Sequence, residues 1–507
     1  GTGINYMLRS LDPYTIYYPE EKVKDLDLMI SGKYAGVGAL IRYNFLLKNT
    51  VIDEPYENMP AAEVGLKKGD VILAIGDSSM VGKDVAYVSN HLRGDAGTTF
   101  ILTIQRPSVN KKMKFKITRR SIQLPAVPYY GVQDGGVGYL NLNSFTTGCA
   151  KDVRRAFLDM KKQGMTSLVF DLRNNGGGSL QEAVNIVNMF VPKGITLVKT
   201  VGKMERANKE YKTTVEPIDT VMPIVVLVND ETASASEITS GSLQDLDRAV
   251  VLGTRTYGKG LVQVSMDLPY NGNLKLTSSK YYIPSGRCIQ AINYKHANGG
   301  YTEHVPDSLT HVFHTANGRE VRDGGGIKPD VEVRPDSLPN IAFYLASSGR
   351  DSTEVMWNWE LQYLKKHPTI GPAKTFVISD ADFEDFKQAV LKSGFKYDLE
   401  SKNYLENLVK LAKFECYYDD AKVEFDALEK KLNHNLAKDL DYNKQTLKKV
   451  LTSDLVSAYY YQKGSLENSL QFDKQWKKAV EILKNPAEYK KLLQPVVGQP
   501  LVKLEPA

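Results

Sequence analysis

Three segments of the chain place polar or glycine-rich residues directly after apolar strands, and these are the residues that could do chemistry. DLRNNGGG covers residues 171–178, TASASE covers 232–237, and TYGKG covers 256–260. A serine hydroxyl is a poor nucleophile until a base takes its proton. No histidine lies near Ser234, so the activating base must be sought among the other side chains.

Each segment taken alone has an ordinary explanation. Ser234 fits a helix N-cap, the three glycines fit a loose strand-to-helix turn, and Lys259 fits a solvated hairpin. Taken together, the segments favour Ser–Lys chemistry, in which Ser234 attacks a peptide carbonyl and Lys259 accepts its proton. The N–H of Ala235 and the glycine turn that begins Gly176-Gly177 would then hold the oxyanion.

The remaining pattern predicts the elements that position these segments. Residues 108–335 alternate strands and helices, which predicts a mostly parallel sheet covered by helices, with ligands bound where strands end. Residues 1–33 form a short helical lead, and 34–107 form a module of short strands separated by glycine turns. Residues 336–507 are charged and mainly helical, and they contain no catalytic motif.

Bulk composition excludes some classes of function. The chain has 507 residues and a net charge of only +6, which does not favour nucleic acid as a partner. Its three cysteines lie far apart and match no metal or disulfide pattern. No apolar run is long enough to cross a membrane. The first residues read like a chain entered partway through a helix, so we expect a shortened protein from which a targeting segment is missing.

Several motifs in order resemble the carboxyl-terminal processing peptidases, also called tail-specific proteases. They are SLDPYTIYY, YAGVGALI, GLKKGDVILAIG, VGYLNLNSF, LVFDLRNNGGG, TASASEITSGSLQDLDRAVVLG, TYGKGLVQ, YYIPSGRCIQ and GGGIKPDVEV. The resemblance implies a multi-domain α/β protein. It would have a crotonase-like, ClpP-like protease core, a PDZ module at residues 34–107 and a helical C-terminal region.

The resemblance also assigns roles to residues. It implies a serine endopeptidase with Ser234 as nucleophile, Lys259 as base and Gln263 as the residue that orients the lysine. Ala235 and a glycine of the 176–178 turn match the oxyanion-hole donors, whereas Ser236 and Glu237 are expected to support the turn. No cofactor is implied.

Partners follow from the PDZ resemblance. Such modules bind the C-terminal segment of a polypeptide as an added strand, so we expect substrates with unstructured apolar C-termini. The matching carboxylate-binding loop is Gly36, Val37, Gly38 and Ala39, and Ala39 is smaller than the bulky apolar residue usual in PDZ domains. The helical region is a candidate surface for a homo-oligomer or an adaptor protein. The family implies export to the bacterial envelope or periplasm.

Two other classes of protein stay open. One is a catalytically silent scaffold that uses the PDZ module to bind peptides, and the other is a crotonase-like acyl-transfer enzyme. Four histidines between residues 290 and 323 include an H-x-x-H pair, His311 and His314. That spacing is weak for a metal and no third ligand is evident, so we predict no metal site.

Overall fold

A computed structural model describes residues 1–291, 306–347, 349–432 and 435–495. Its strands, in chain order, are β1 (Ile16–Tyr18), β2 (Lys33–Gly36), β3 (Ala39–Asn44), β4 (Asn49–Pro55), β5 (Val71–Ile75), β6 (Ser78–Ser79), β7 (Thr99–Arg106), β8 (Lys111–Thr118), β9 (Arg120–Gln123), β10 (Tyr129–Gln133), β11 (Val137–Asn141), β12 (Ser167–Asp171), β13 (Thr196–Val201), β14 (Lys209–Lys212), β15 (Ile224–Val228), β16 (Val250–Gly253), β17 (Leu261–Asp267), β18 (Asn273–Tyr282), β19 (Val312–His314), β20 (Glu320–Arg322) and β21 (Val331–Glu332).

The helices are α1 (Thr2–Leu8), α2 (Glu20–Ser31), α3 (Pro60–Glu63), α4 (Val85–Leu92), α5 (Cys149–Lys162), α6 (Leu180–Val187), α7 (Ala235–Asp245), α8 (Asn340–Ala346), α9 (Val355–Lys366), α10 (Asp380–Ser393), α11 (Glu400–Phe414), α12 (Lys422–Leu432), α13 (Leu436–Tyr442), α14 (Lys444–Ser469), α15 (Lys474–Lys484) and α16 (Pro486–Leu492). Within the part of the chain that the structure describes, no helix has both the length and the apolar content needed to span a bilayer.

The described chain forms two compact units, and the first is built on a six-stranded sheet. This unit comprises residues 1–34, 123–335 and the chain from 473 onward. Its sheet has the order β10-β11-β12-β15-β16-β21, with β10 antiparallel and the other neighbours parallel. Strands β12 (SLVFD) and β15 (IVVLV) are wholly buried, as expected for parallel strands with both faces covered.

Helix α5 shows how the sequence pattern forms this core. Its buried positions Val153, Ala156, Phe157 and Met160 recur at spacings of three and four, so they share one face. That face joins the same apolar cluster as Phe170 of β12. The predicted mostly parallel sheet with helical cover is confirmed.

A second sheet in the same unit pairs the first strand of the chain with a strand from the middle of the sequence. The long strand β18 pairs with β1, β13 and β17, all antiparallel. Ile16 lies opposite Lys275, so the first residues of the chain complete a sheet formed by residues far along it.

The second unit comprises residues 35–122 and 336–472. It contains an antiparallel sheet of order β3-β4-β5-β7-β8, with β6 paired to β5. Helices α8–α10, α13 and α14 bury a separate apolar core that includes Trp359 and Phe386. Trp357 of α9 packs against Val51 and Val71 of the sheet, so helices and sheet share a contact.

These units cut across the four predicted segments at two places. Strand β8 continues the sheet of the second unit beyond Pro107, because KKMKFKIT forms a full antiparallel ladder with β7. Helices α15 and α16 lie in the first unit, where Tyr489 O–H donates to the carbonyl of Ile224 at 3.1 Å and Gln475 Nε2 donates to the carbonyl of Val333 at 2.6 Å.

Candidate active site

Ser234 lies at the turn between β15 and α7. It is the N-cap residue of α7 and has φ 58° and ψ −115°, a conformation that is strained for a residue with a side chain. Its N–H donates to Glu237 Oε2 at 2.8 Å, which holds the turn in this conformation. Backbone strain of this kind is concentrated at functional sites, and ligands of open α/β sheets bind beyond the carboxyl ends of the strands, where Ser234 lies.

The glycine turn follows β12, the neighbour of β15, and reaches the same edge of the sheet. Gly177 has φ +96°, and a Cβ atom there would lie 2.6 Å from the carbonyl oxygen of Ala233 and 2.8 Å from Cβ of Ser234. Glycine is therefore required at this position by close approach as well as by dihedral angle. The turn and the serine are in direct contact.

Asn175 fixes the shape of the glycine turn. It is fully buried, its Nδ2 donates to the carbonyl of Leu142 at 2.6 Å, and its Oδ1 accepts from the N–H of Gly177 at 2.9 Å. The N–H of Gly177 is therefore engaged. Among the described residues, the N–H groups of Gly176, Gly178 and Ala235 donate to no other protein group.

Lys259 lies in the extended segment between β16 and β17. Its own N–H donates to Glu237 Oε2 at 2.9 Å, the oxygen that also accepts from Ser234. The N–H of Gly258 and the hydroxyl of Thr256 donate to Glu237 Oε1 at 2.7 and 2.6 Å. One buried carboxylate therefore joins the backbone of the serine turn to the backbone of the lysine segment.

The environment of the Lys259 side chain shifts its ionisation toward the neutral amine. Burial lowers its pKa to about 8, and the positive charge of Lys275 acts in the same direction. Glu237 and Asp12 oppose the shift without cancelling it. The ring of Tyr14 lies 4.7 Å from Nζ.

Gln263 lies on β17, where its Nε2 donates to the hydroxyl of Thr277 at 3.4 Å. In the described part of the chain, no hydrogen bond joins Gln263 to Lys259, and none joins the Ser234 hydroxyl to Lys259. Catalytic hydrogen bonds are often long in free enzymes and shorten when substrate binds. The structure brings the backbones of Ser234 and Lys259 together at the Glu237 carboxylate. Among the described residues, no hydrogen bond joins the side chains of Ser234, Lys259 and Gln263 to one another.

The predicted carboxylate-binding loop begins the edge of the sheet in the second unit. Gly38 has φ +72°, and a Cβ atom there would lie 2.5 Å from Cβ of Met59. The carbonyl of Val37 accepts from Ala61 N–H at 2.9 Å. Ala39 begins β3, which pairs only with β4 within this sheet and has α4 beside it. The loop thus leads into a sheet edge and an adjacent helix.

The histidines form no evident metal site in the described residues. His311 contacts Asp323 through Nδ1 at 3.0 Å, and His314 lies opposite Glu320 in a two-stranded ladder. His296 and His304 lie outside the described residues. Across the described ranges, no three His, Cys, Asp or Glu side chains are grouped closely enough to hold a metal ion.

Sequence reasoning missed two contributors to the site. The sequence assigns Glu237 only a supporting role in the turn, although its carboxylate also holds the lysine segment. The sequence does not place the stretch from Asp12 to Thr15 at the site, although Tyr14 lies against Lys259. SLDPYTIYY was among the motifs that carried the family resemblance, and that was the available signal.

An α/β core with a serine at a strand-to-helix turn, accompanied by a PDZ-like sheet, defines a class of modular proteases. Comparison with family models agrees with this class. Residues 136–296 match peptidase family S41, residues 51–106 match a PDZ domain, and residues 344–483 match the C-terminal helical domain of a probable PDZ-protease.

Two curated relatives point to the same family. A carboxy-terminal-processing protease of Bartonella bacilliformis is 38% identical over 295 residues, which is 57% of this chain and 67% of that protein. A probable CtpA-like serine protease of Staphylococcus aureus is 35% identical over 417 residues, 80% of this chain and 70% of its own. The solved photosystem II D1 C-terminal processing protease shows 27% identity, covers 69% of this chain and 86% of its own, and has a TM-score of 0.38.

The chain belongs to the carboxy-terminal-processing serine proteases of peptidase family S41. It spans 67% of the length of the Bartonella bacilliformis relative, 70% of the Staphylococcus aureus relative and 58% of a probable CtpA-like serine protease of Staphylococcus epidermidis.

Proposed function

We propose that this protein is an endopeptidase. Its PDZ domain binds the C-terminal tail of a polypeptide, and its dyad of Ser234 and Lys259 then cleaves that polypeptide. The observation that carries the proposal is the Glu237 carboxylate, which holds the backbones of both residues. Lys259 has the second property that a base requires, because its pKa of about 8 leaves roughly a tenth of it neutral at pH 7.

The first chemical step is acylation of the serine. Neutral Lys259 accepts the proton of the Ser234 hydroxyl while the oxygen attacks the scissile carbonyl carbon. The resulting ammonium then gives its proton to the leaving amine, which departs as the acyl-enzyme forms. Water attacks the acyl-enzyme with Lys259 again acting as base, and Ser234 is regenerated.

We propose the N–H groups of Ala235 and Gly178 as the oxyanion hole. The carbonyl of Gly177 accepts from Phe145 N–H at 3.0 Å, and in a trans peptide the next N–H points the opposite way. The N–H of Gly178 is therefore directed away from Phe145. It belongs to the glycine turn, which contacts Ser234 at Gly177. We propose Gly178 in place of Gly177 because the N–H of Gly177 already donates to Asn175 Oδ1.

The PDZ domain supplies the proposed recognition of tails. The free edge of β3 can add the tail as an antiparallel strand beside α4, with its terminal carboxylate on N–H groups of the loop from Gly36 to Ala39. Because Ala39 is small, this end of the groove accommodates a bulky apolar C-terminal residue. Removal of the terminal charge by amidation should weaken binding.

The test uses an unfolded polypeptide with an apolar C-terminus and its C-terminally amidated form. We expect the wild-type protein to cleave the free-acid substrate faster than the amidated one. Ser234→Ala and Lys259→Ala should each lower kcat/KM by at least about 10³-fold, as for other members of catalytic dyads and triads. Lys280→Ala, an exposed lysine on β18, is the matched control and should keep wild-type activity.

Two results would contradict the proposal. Equal cleavage by the wild type and both dyad variants would exclude the dyad. Binding of the free-acid tail without cleavage by any form would favour a peptide-binding scaffold.

From the family we also propose that the protein resides in the bacterial envelope. Fractionation of the producing cells, with an antibody against the protein, would test this location. Recovery of the protein only in the cytosol would contradict it.

A further inference from the structure

We propose that Asp12 is a positioning residue of the active site, acting through Thr277 on Gln263 and through its charge on Lys259. The inference rests on the proposed function, because it concerns the orientation of Gln263 and the ionisation of Lys259 in the proposed dyad. It assigns a role in the reaction to the stretch before β1, which is distant in sequence from every residue of the proposed dyad.

Asp12 is a buried carboxylate with a full set of donors. It is 9% exposed, and its Oδ1 accepts from the N–H groups of Tyr14 and Thr15, both at 2.8 Å. Its Oδ2 accepts from the Thr15 hydroxyl at 2.6 Å. These three bonds form a local turn. The fourth bond, to Oδ1 from the hydroxyl of Thr277 at 3.0 Å, crosses to β18.

That fourth bond sets the direction of a short relay. A hydroxyl has one proton, and Thr277 gives it to Asp12, so the Thr277 oxygen can only accept from Gln263. The Gln263 amide must therefore turn its NH₂ group toward Thr277. Its Oε1 is left facing away from Thr277 as an acceptor, which is what an ammonium group on Lys259 requires during the reaction.

The same stretch of chain also covers the lysine. The centre of the Tyr14 ring lies 4.7 Å from Lys259 Nζ, within the range of a cation–π contact with the ammonium form. The N–H of Thr277 donates to the Thr15 hydroxyl at 3.3 Å, which ties the turn to β18 a second time. Two hydrogen bonds to Thr277 therefore hold the turn from Asp12 to Thr15 against β18.

Charges face Lys259 from three elements. Glu237 of α7 and Asp12 favour its ammonium form, whereas Lys275 of β18 and burial favour the amine. Removing the Asp12 charge should lower the pKa of Lys259, so the acid limb of the pH–kcat/KM profile should move to lower pH. Removing the Lys275 charge should move the same limb to higher pH.

The experiment measures this profile for full-length variants. Asp12→Asn keeps the Oδ1 acceptor and removes the charge, and we expect its acid limb to fall by about half a pH unit or more. Lys275→Met should move the limb in the opposite direction. Asp27→Asn, an exposed aspartate in α2, is the matched control and should leave the limb unchanged.

The relay has its own pair of variants. Thr277→Val removes the hydroxyl while keeping the shape of the side chain, and it should lower kcat by about tenfold or more because Gln263 is no longer oriented. Thr277→Ser restores the hydroxyl and should recover activity to within about threefold. Circular dichroism melting identifies any variant that is not folded.

The outcomes separate this inference from the proposed function. If Ser234→Ala and Lys259→Ala remain active, the proposed function fails. If both are inactive while folded Thr277→Val matches the wild type and Asp12→Asn leaves the acid limb unmoved, only this inference fails. If Asp12→Asn does not fold, the Thr277 pair still decides the inference, because Thr277 is the residue through which Asp12 acts on Gln263.

Discussion

At the scale of single residues, Glu237 links the two halves of the proposed dyad. Its carboxylate accepts four hydrogen bonds and is fully buried. Burial raises its pKa and the four donors act against that shift. Both oxygens must act as acceptors, so only the ionised form satisfies all four donors.

We therefore expect Glu237→Gln to reduce activity strongly. The amide would direct an NH₂ group at two of the four donors, and the serine turn and the lysine segment would separate. Displacements of about 1 Å at reacting groups cost about 10²-fold in rate, and we expect a loss in kcat/KM of that order. Glu231→Gln, on the exposed loop before the serine, is the control. Wild-type kcat/KM in Glu237→Gln would show that this carboxylate does not position the dyad.

At the scale of elements, the site depends on two neighbouring parallel strands that end together. Strand β12 leads into the glycine turn and β15 leads into the serine turn. The turns touch at Gly177, where the chain has no room for a side chain. This contact places the free N–H groups and the serine on one edge of the sheet.

Gly177→Ala tests this contact. The added methyl group would meet Ala233 and Ser234 within 2.9 Å, and alanine at φ +96° is strained. We expect a loss of at least about 10²-fold in kcat/KM, because the serine turn must move. Gly371→Ala has open space around it and no left-handed dihedral, so it should behave as wild type. Full activity in Gly177→Ala would contradict the close contact.

Prediction from sequence succeeded where pattern and chemistry coincide. The apolar runs of β12 and β15, each followed by glycines or serines, predicted the α/β core and the sheet edge at which the glycine turn and the serine turn lie side by side. It could not place Asp12 and Tyr14 at the lysine, because the pairing of β1 with β18 joins residues about 260 positions apart. The sequence also could not predict that α15 and α16 belong to the first unit. An amphipathic pattern shows that one face of a helix is buried, but it does not show which element covers that face.

At the scale of the whole molecule, the second unit depends on buried charge. The Lys68 ammonium lies 3.1 Å from Glu360 Oε2 and 4.7 Å from the Trp357 ring. Burial raises the pKa of Glu360 while the Lys68 ammonium acts against that shift, and the Glu360 carboxyl group shares a hydrogen bond with Asp454. Burial alone would lower the pKa of Lys68, but Glu360, Asp454 and Asp53 together raise it, so this lysine stays charged.

Lys68→Met should destabilise this unit. It leaves the Glu360 and Asp454 carboxyls without their cation, and breaking a buried pair in this way costs about 3–5 kcal/mol. Chemical denaturation followed by tryptophan fluorescence reports the loss, since Trp357 and Trp359 both lie in this unit. Lys67→Met, at the exposed neighbouring position, is the control. Equal denaturation midpoints for the two variants would show that the cluster contributes little.

The pH dependence of kcat/KM for an unfolded polypeptide substrate tests the central claim most directly, because it reports the ionisation of the base in the free enzyme. A lysine base must lose its proton, so activity should rise with pH through a single acid limb with an apparent pKa of about 8. A limb near pH 6.5, the ordinary value for histidine, or a flat profile from about pH 6 to 9 would contradict Lys259 as the base.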